Sequence, residues 1–507
     1  MSIEYHWMCG NLVEDELLSK CSDLYSTQYG KWSESFGSKA GDSIKLSVDA
    51  IKRWFENNNS DLYWACDKGV MIGYAIALRI VTKNGTISWV TQLVVHENYR
   101  HRNIAKTILH SIWGFSNHFA WGIVSANPYA IRALEKTTRR RSDPIRIKHN
   151  IKKLLNIGIE NIPYITSDTE YDIKDGLSAI NTCFYVDHSN VDDMIESVVS
   201  DTVPWKLGSL KEGWEWIAFT FNDQLPFELS EEEINNLLNS SDKVVHTAYS
   251  RMALTPSQKW MNHTVNNVDY ILENYNSAPN AKIIDWGCGQ GRHAIEFAKR
   301  GYNVTAIDYI EKNIENASKN ANDSLKITWL YDDCRKVDLH QQFDLALCLY
   351  DVVGTYTDVE NNLLILKNIF NHLKKGGVAF ISVMNRHLTE VNAKNTFILK
   401  DEPNKLLSLQ PSQTMEQTGD VFNPDYYLLD TDTGIVYRRE QFRTGRSLPV
   451  ELIVRDKRFF DYEIVGLCKS VGFIVNEVRF VNAARWEQSL SPIDHKAKEI
   501  LIKLSRE

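Results

Sequence analysis

The 507-residue sequence has no apolar run approaching the ~18–20 residues that a membrane-spanning helix needs, which argues against a helical membrane protein. Its eight cysteines are scattered, with no CxxC pair and no Cys/His spacing of a zinc site. Reduced thiols and no metal are expected. The first residues, MSIEYHWMCGNLVEDELL, lack a basic patch followed by an apolar core, so no secretion signal is expected and the chain reads as cytoplasmic. No internal repeat or low-complexity tract is present. What remains is ordinary for a folded protein: 43% apolar and 24% charged residues, in a chain long enough for two to four domains.

The net charge of −8 is unevenly spread. Residues 98–153 hold twelve Lys/Arg against two Asp/Glu, and residues 160–233 hold seventeen acidic residues against three basic ones. The basic stretch fits a nucleic-acid surface, a pocket for a phosphate-rich cofactor, or a solvated face balanced by the acidic segment.

Two periodic regions divide the chain. In the first, DLYWACDKG, VMIGYAIALRIV and TISWVTQLVV read as successive strands rich in β-branched and aromatic residues. RNIAKTILHSIWGF has helical apolar spacing, FAWGIVSA is a strand, and NPYAIRALEKTT is a helix with Asn127 as N-cap. From Ala281 strand and helix alternate: AKIIDWG, RHAIEFAKRG, NVTAIDY, IENASKNA, then the strands KITWLYDD and FDLALCLYD, the helix NLLILKNIFNHLKKGG and the strand VAFISVMN. That order implies a parallel sheet covered on both faces, with ligands at the carboxyl ends of its strands. A domain boundary is expected near residue 240, separating 1–240 from 241–507.

KIIDWGCGQGRH places Asp285, Gly287, Gly289 and Gly291 where the first of these strands turns into a helix. Glycine permits a tight turn and close ligand approach. Asp308 ends the next strand, where a carboxylate can accept both hydroxyls of a ribose. The spacing DxGxGxG differs from the dinucleotide pattern GxGxxG. An acid leading the loop suits a cofactor carrying a cation.

These motifs resemble the class I S-adenosylmethionine-dependent methyltransferases over roughly Tyr249 to Val481. IIDWGCGQGRHAIEFAKRGYNVTAIDY is similar to motif I followed by the second-strand acid. WLYDDCR resembles the segment whose acid, here Asp333, accepts from the adenine amino group. FDLALCLYDVVG resembles the fourth strand, whose end faces the methyl group, and LKKGGVAFISV the turn into the fifth. The resemblance implies a Rossmann-like fold, S-adenosylmethionine as cofactor, and contacts from Asp285, Gly287, Cys288, Gly289, Gly291, Asp308, Tyr309, Asp333, Cys334 and Leu349. The tail after residue 430 resembles the branch acting on small molecules, with a β-rich insertion before the last helix and strand. No (D/N/S)PP(Y/F) motif and no Pro-Cys pair follows Phe343, which disfavours amino-methylation of DNA and cytosine C5 chemistry. Candidates for catalysis are Tyr350 and Asp351 at the end of the fourth strand and Asn385 and His387 at the end of the fifth. Asp351 reads equally well as a helix N-cap, and His387 as a loop histidine. Tyr249, Trp260 and His263 lie on a segment that either closes over the cofactor or packs as ordinary helix.

Upstream, QLVVHENYRHRNIAKTILHSI resembles the acetyl-CoA-binding strand–loop–helix of the GNAT family of N-acetyltransferases. The pattern (R/Q)xxGx(G/A) falls on Arg100 to Ala105, with Asn103 in place of the central glycine. The resemblance implies a mixed α/β domain and contacts to acetyl-CoA from Leu93, Val95, Arg100, Arg102, Asn103, Ile104, Ala105 and Asn127. Residues 141–240 match poorly. Leu134 stands where many relatives keep a tyrosine, and Trp89–Gln92 offers no glutamate as base. Arg139, Arg140 and Arg141 are placed to reach a 3′-phosphate.

Three functions fit these features. One is a bifunctional transferase that methylates N or O of a small molecule and acetylates through a domain that has kept or lost its activity. Another is an enzyme modifying RNA or nucleotides, gripping phosphates through residues 98–153. The third is a methyltransferase beside a non-catalytic CoA-binding or scaffold module. No acceptor and no oligomeric state is readable.

Overall fold

The computed structural model describes residues 3–56, 59–114, 116–200, 203–238, 242–255, 262–275, 280–444, 448–483 and 485–507. The chain forms two compact units, Met1–Phe227 with Gly445–Val450, and Glu228–Thr444 with Glu451–Glu507. The expected boundary at 240/241 lies outside the described residues.

The N-terminal unit is built on eight strands: β1 (Glu4–Cys9), β2 (Ser60–Asp67), β3 (Val70–Thr82), β4 (Gly85–Val95), β5 (Ala120–Ser125), β6 (Tyr171–Lys174), β7 (Leu177–Asn181) and β8 (Trp214–Phe221). Their order is β1-β2-β3-β4-β5-β8-β7-β6. Alternation along β8 makes the two cores. Ile217, Phe219 and Phe221 join one apolar cluster, and Trp216 and Ala218 the other. The first cluster takes in residues of the helices Asp15–Gln28 and Pro144–Asn161, and the second those of Ile104–Trp113 and Pro128–Thr138.

Strands β4 and β5 run parallel and pair only from Ile87–Val90 to Ala120–Ile123. The β3–β4 register shifts between Ile76 and Ala77, which leaves Thr91 as an extra residue in β4. Such a bulge bends a strand and ends local pairing. Beyond it, Thr91–Val95 turns away from β5 and opens a notch in the sheet.

The C-terminal unit has β9 (Lys282–Trp286), β10 (Asn303–Asp308), β11 (Ile327–Tyr331), β12 (Phe343–Cys348), β13 (Leu373–Met384), β14 (Thr396–Phe397), β15 (Pro411–Ser412), β16 (Tyr427–Asp430), β17 (Ile435–Phe442), β18 (Val450–Lys457), β19 (Ile474–Val481) and β20 (Glu499–Ser505). Seven of them form one sheet in the order β11-β10-β9-β12-β13-β20-β19, with β9 to β13 parallel and β20 antiparallel to β13. The order reverses between β9 and β12, and that switch point is where the carboxyl ends of an open α/β sheet leave room for a ligand. Strands β14 to β18 form a separate five-stranded sheet, the β-rich insertion. The helix expected to run through LKKGG stops at His372 (Val359–His372), and Leu373–Gly377 already belong to β13, with Gly376 at φ 74°.

Among the described residues no helix is long and apolar enough to cross a membrane, and no group of three or more His, Cys, Asp or Glu is placed to hold a metal.

Candidate functional site

The loop after β9 turns with three left-handed glycines, Gly287 (φ 70°), Gly289 (φ 55°) and Gly291 (φ 76°). A Cβ on Gly287 would overlap Val352, and one on Gly291 the ring of Trp329. Gly289 has open space beside it. Two glycines are therefore demanded by packing and all three by φ.

The loop is tied to β10 by Asp308. Gly289 N–H donates to its Oδ2 at 2.8 Å, and Ile310 N–H and Asn313 Nδ2 donate to its Oδ1 at 2.9 and 3.1 Å. Burial raises this carboxyl above its usual range, with the three donors opposing. Asp285, at the end of β9, is buried, and its Oδ2 has no hydrogen-bond partner among the described residues. Burial pushes it up to about 7, helped by the Asp308 charge and opposed by Arg292. A buried carboxyl oxygen without a partner is costly, and a cation is the partner that offsets the cost best.

These groups line one cavity at the switch point. Gly287, Cys288, Gly289, Tyr309, Asp333, Cys334, Leu349 and Tyr350 line it too, so every expected cofactor residue of this unit except Gly291 faces it; Gly291 packs on Trp329 behind. The expected adenine acid, Asp333, is engaged by a residue that motif reading missed. Arg335 donates to its two oxygens from Nε at 2.9 and 3.1 Å and from Nη2 at 2.7 Å. Burial alone would raise Asp333, but this contact holds it below the usual range. Arg335 also reaches Asp242 at 3.0 Å and Asn361 at 2.8 Å, and lies 4.2 Å over the Tyr356 ring. Its only sequence signal was a lone arginine two residues after an acid. Tyr249 lines the same cavity, 3.4 Å from the Thr355 hydroxyl. Trp260 lies outside the described residues, and His263 precedes the helix Thr264–Asn274 without lining the cavity.

The four catalytic candidates separate. Tyr350 (φ 59°) and Asp351 (φ 74°) are consecutive non-glycine residues in the left-handed region at the end of β12. Holding each there costs of the order of 1–3 kcal/mol, and such strain concentrates at functional sites. The Tyr350 hydroxyl donates to Asn267 at 2.9 Å, and Arg292 lies 4.2 Å over its ring. Asp351 is half-buried, and its Oδ1, which is itself shielded from solvent, has no hydrogen-bond partner among the described residues. Burial drives it well above the carboxylate range, the Asp456 charge adds to this, and Arg438 and Arg458 oppose. It caps no helix: the next helix is capped by Asp358, which accepts from Asn361 N–H at 2.7 Å. Of the four, only Tyr350 lines the cavity; Asp351, Asn385 and His387 do not. Asn385 donates to the carbonyls of Pro492 and Ala497 at 2.6 and 2.7 Å and caps the helix Arg386–Asn392. His387 pairs with Asp461 at 2.9 Å.

In the N-terminal unit β4 leads through the turn Glu97–Tyr99 into the helix Ile104–Trp113. His101 (φ 59°) and Asn103 (φ 63°) are left-handed, so asparagine holds the conformation expected of the missing glycine. The helix starts at Asn103 with no side-chain cap, which leaves its first amides for a ligand. Ile104 is buried, and Leu93, Val95 and Ala105 are half-buried. Arg102 is exposed, 5.5 Å over the Tyr99 ring. Arg100 instead donates to the carbonyls of Val95 and Gln28, at 3.2 and 2.7 Å. Asn127 is the N-cap expected for Pro128–Thr138, accepting from Tyr129 N–H at 2.9 Å. Leu134 is fully buried.

Three arginines of the basic stretch have partners within the fold. Arg139 donates to the Phe227 carbonyl at 3.2 Å, Arg140 to those of Gln224, Thr138 and Asn222, and Arg141 to Glu135 at 3.0 Å. A phosphate backbone is bound by displaceable surface cations, and these three have internal partners.

Comparison with known proteins finds relatives for both halves of the chain. A family model described as "Methyltransferase domain" matches residues 283–377, and one described as "Acetyltransferase (GNAT) family" matches residues 21–137. The ubiquinone biosynthesis O-methyltransferase of Rickettsia canadensis (strain McKiel) is 32% identical over 181 residues, 34% of this chain and 72% of that protein. The protein of the same name from Rickettsia prowazekii (strain Madrid E) is 35% identical over 131 residues, and there the chain spans only half the relative's length. The crystal structure of a S-adenosylmethionine-dependent methyltransferase from Clostridium acetobutylicum ATCC 824 is 15% identical, covers 48% of this chain and 91% of its own, and gives a TM-score of 0.36.

Proposed function

We infer, from a chain that belongs to the S-adenosylmethionine-dependent methyltransferases and carries a GNAT acetyltransferase domain ahead of the methyltransferase domain, that it methylates an oxygen or nitrogen of a small molecule and binds acetyl-CoA in its N-terminal unit. The observation that carries the methyl-transfer reading is the cavity at the switch point, walled on one side by Asp285 and Asp308 and lined at the end of β12 by Tyr350, held in the left-handed region. Asp285, with its unpartnered oxygen, suits the ammonium group of the cofactor, and Asp308 suits its ribose hydroxyls. Bound there, S-adenosylmethionine supplies a methyl group already activated by its sulfonium.

The protein's part is then mainly to align the acceptor lone pair. Tyr350 is a positioning residue, its ring fixed by Arg292 and its hydroxyl by Asn267. Asp351, between the lining residues Tyr350 and Val352 but itself outside the lining, is the group we assign to the acceptor's proton. Its raised pKa makes it, once ionised, a stronger base than an ordinary carboxylate. The relatives' printed chemistry, transfer to oxygen, is the case that needs such a base. Asn385 and His387 are assigned to holding the loop after β13. Cytoplasmic residence fits the eight unpaired thiols, five of them buried.

Formation of S-adenosylhomocysteine is followed while the chain is offered fractionated small-molecule extracts. Asp351→Asn should lower kcat by about 10²–10⁴-fold, the usual range for a lost proton-transfer group, with donor affinity unchanged. Equal loss of donor affinity would assign Asp351 to the fold. A fragment beginning at residue 241 should retain donor binding; an insoluble fragment beside a soluble full chain would refute separable domains.

A further inference from the structure

The helix Asp242–Met252 runs along the cavity of the C-terminal unit. Its first residue, Asp242, accepts from Arg335 at 3.0 and 3.1 Å, and Arg335 holds Asp333, the acid expected at the adenine. Two turns further on, about 10 Å along a helix, Tyr249 lines the cavity and meets Thr355, in the loop after β12. The helix therefore leads from the adenine acid to the strand end expected at the methyl group. Met252, almost one turn beyond Tyr249, and Val352, in the same loop as Thr355, give the cavity apolar walls beside the two hydroxyls.

These hydroxyls differ in what they offer. Thr355 donates its one hydrogen to the Asp351 carbonyl at 2.6 Å, so toward Tyr249 it presents lone pairs only. Tyr249 is then the donor of the pair, and its oxygen lies 3.4 Å from that of Thr355. An O–H···O bond is ordinarily about 2.5–3.0 Å long, so this contact leaves the phenol hydrogen poorly engaged. Among the described residues Thr355 is the phenol's one hydrogen-bond partner. Burial, with the Asp351 charge adding to it, raises the phenol above its usual pKa, so the hydrogen stays on it. Both residues are half-buried in the cavity wall. A hydrogen on one side and lone pairs on the other are the complement of a hydroxyl, whereas an ammonium has no lone pair to meet Tyr249.

We propose that Tyr249 and Thr355 form the polar end of the methyl-acceptor site and select a hydroxyl carried on an apolar body. The acceptor oxygen takes the Tyr249 hydrogen on one lone pair and gives its own hydrogen to the Thr355 oxygen. Its second lone pair stays unengaged, and that pair is the one an alkyl transfer needs. The pattern selects oxygen over the ammonium that an aliphatic amine carries near neutral pH. The assignment rests on reading this unit as a methyltransferase, since only then does the cavity also hold a methyl donor.

The test is a ligand-detected NMR titration of the full chain saturated with S-adenosylhomocysteine, using benzyl alcohol, toluene and benzylammonium chloride near neutral pH. The readout is the affinity for benzyl alcohol relative to toluene, which share an apolar body. Tyr249→Phe removes one oxygen and should lower that ratio about threefold to tenfold, the worth of one hydrogen bond, with toluene unchanged. Thr355→Val should lower it by a similar factor, and it carries the test if Tyr249→Phe does not fold. In the wild type benzyl alcohol should bind more tightly than benzylammonium. An unchanged ratio in either folded variant means that the two hydroxyls hold water alone, and it overturns the site. No binding of benzyl alcohol, or a preference for benzylammonium, overturns it as well. Binding of S-adenosylhomocysteine is measured by calorimetry in the same samples. Its binding with an unchanged ratio overturns the hydroxyl site alone, and its absence overturns the methyltransferase reading beneath it.

Discussion

The loops after β4 and β9 solve the same problem with different residues. Each turns a strand into a helix through left-handed backbone and leaves the start of that helix without a side-chain cap. The loop after β9 does so with Gly287, Gly289 and Gly291, and the loop after β4 with His101 and Asn103. The difference lies in what surrounds them. Val352 and Trp329 close against the first loop, so a Cβ at Gly287 or Gly291 has no room. His101 and Asn103 are exposed, and a side chain there costs only the left-handed conformation, which asparagine tolerates best. Glycine is thus demanded by close approach more than by φ alone, and its absence from a motif is weak evidence that the motif has decayed.

The largest effect should come from putting a side chain where that approach is closest. Gly291→Val should abolish measurable S-adenosylmethionine binding by calorimetry and lower Tm, whereas Gly289→Ala, with open space and only the φ penalty of about 1–2 kcal/mol, should keep the fold and weaken binding. Equal behaviour of the two would erase the distinction between crowding and φ.

The next effect is electrostatic. Asp308→Ala removes hydrogen bonds to a ribose worth about 1.5–3 kcal/mol, an affinity loss of about tenfold to a hundredfold. Asp285 gives a pH signature. Its folded pKa is raised, so the protonated carboxyl adds stability that is fully present below the ordinary range near 3.9 and is lost as pH rises through about 7. An ammonium ligand needs the ionised form, so donor affinity should rise over the same interval. Asp285→Asn should flatten both trends; a wild type with flat affinity from about pH 6 to 8 would remove the cation role.

The smallest effects belong to the loop after β4. Arg102→Glu should remove most of the thermal stabilisation by millimolar acetyl-CoA, because it sets like charge beside phosphate. Asn103→Gly should change that stabilisation by less than about 1 kcal/mol, since the backbone is already in the glycine conformation. A large gain from Asn103→Gly would mean that the asparagine side chain does obstruct the ligand. Leu134→Tyr, by contrast, forces a phenol into a fully buried position and should cost about 1–3 kcal/mol without adding a proton donor.

Local order was written in the sequence. The strand and helix periods, the glycine spacing, the acid ending β10 and the Asn127 cap all follow from side-chain alternation, φ preference and short-range hydrogen bonding, which act within a few residues. From those the two folds and most of the methyl-donor cavity were legible. Three features were not. Strand β20 inserts between β13 and β19, a pairing of distant segments that no local pattern records. Arg335 binds Asp333, Asp242 and Asn361, drawing on residues far apart in the chain. Glu215 reads as one acid among seventeen in a polar stretch, yet the fold buries it on the same face of β8 as Ile217 and Phe219. Charge count and spacing cannot tell a solvated carboxylate from a buried one; only the packing of distant chain segments sets the local dielectric, and with it the chemistry of the group.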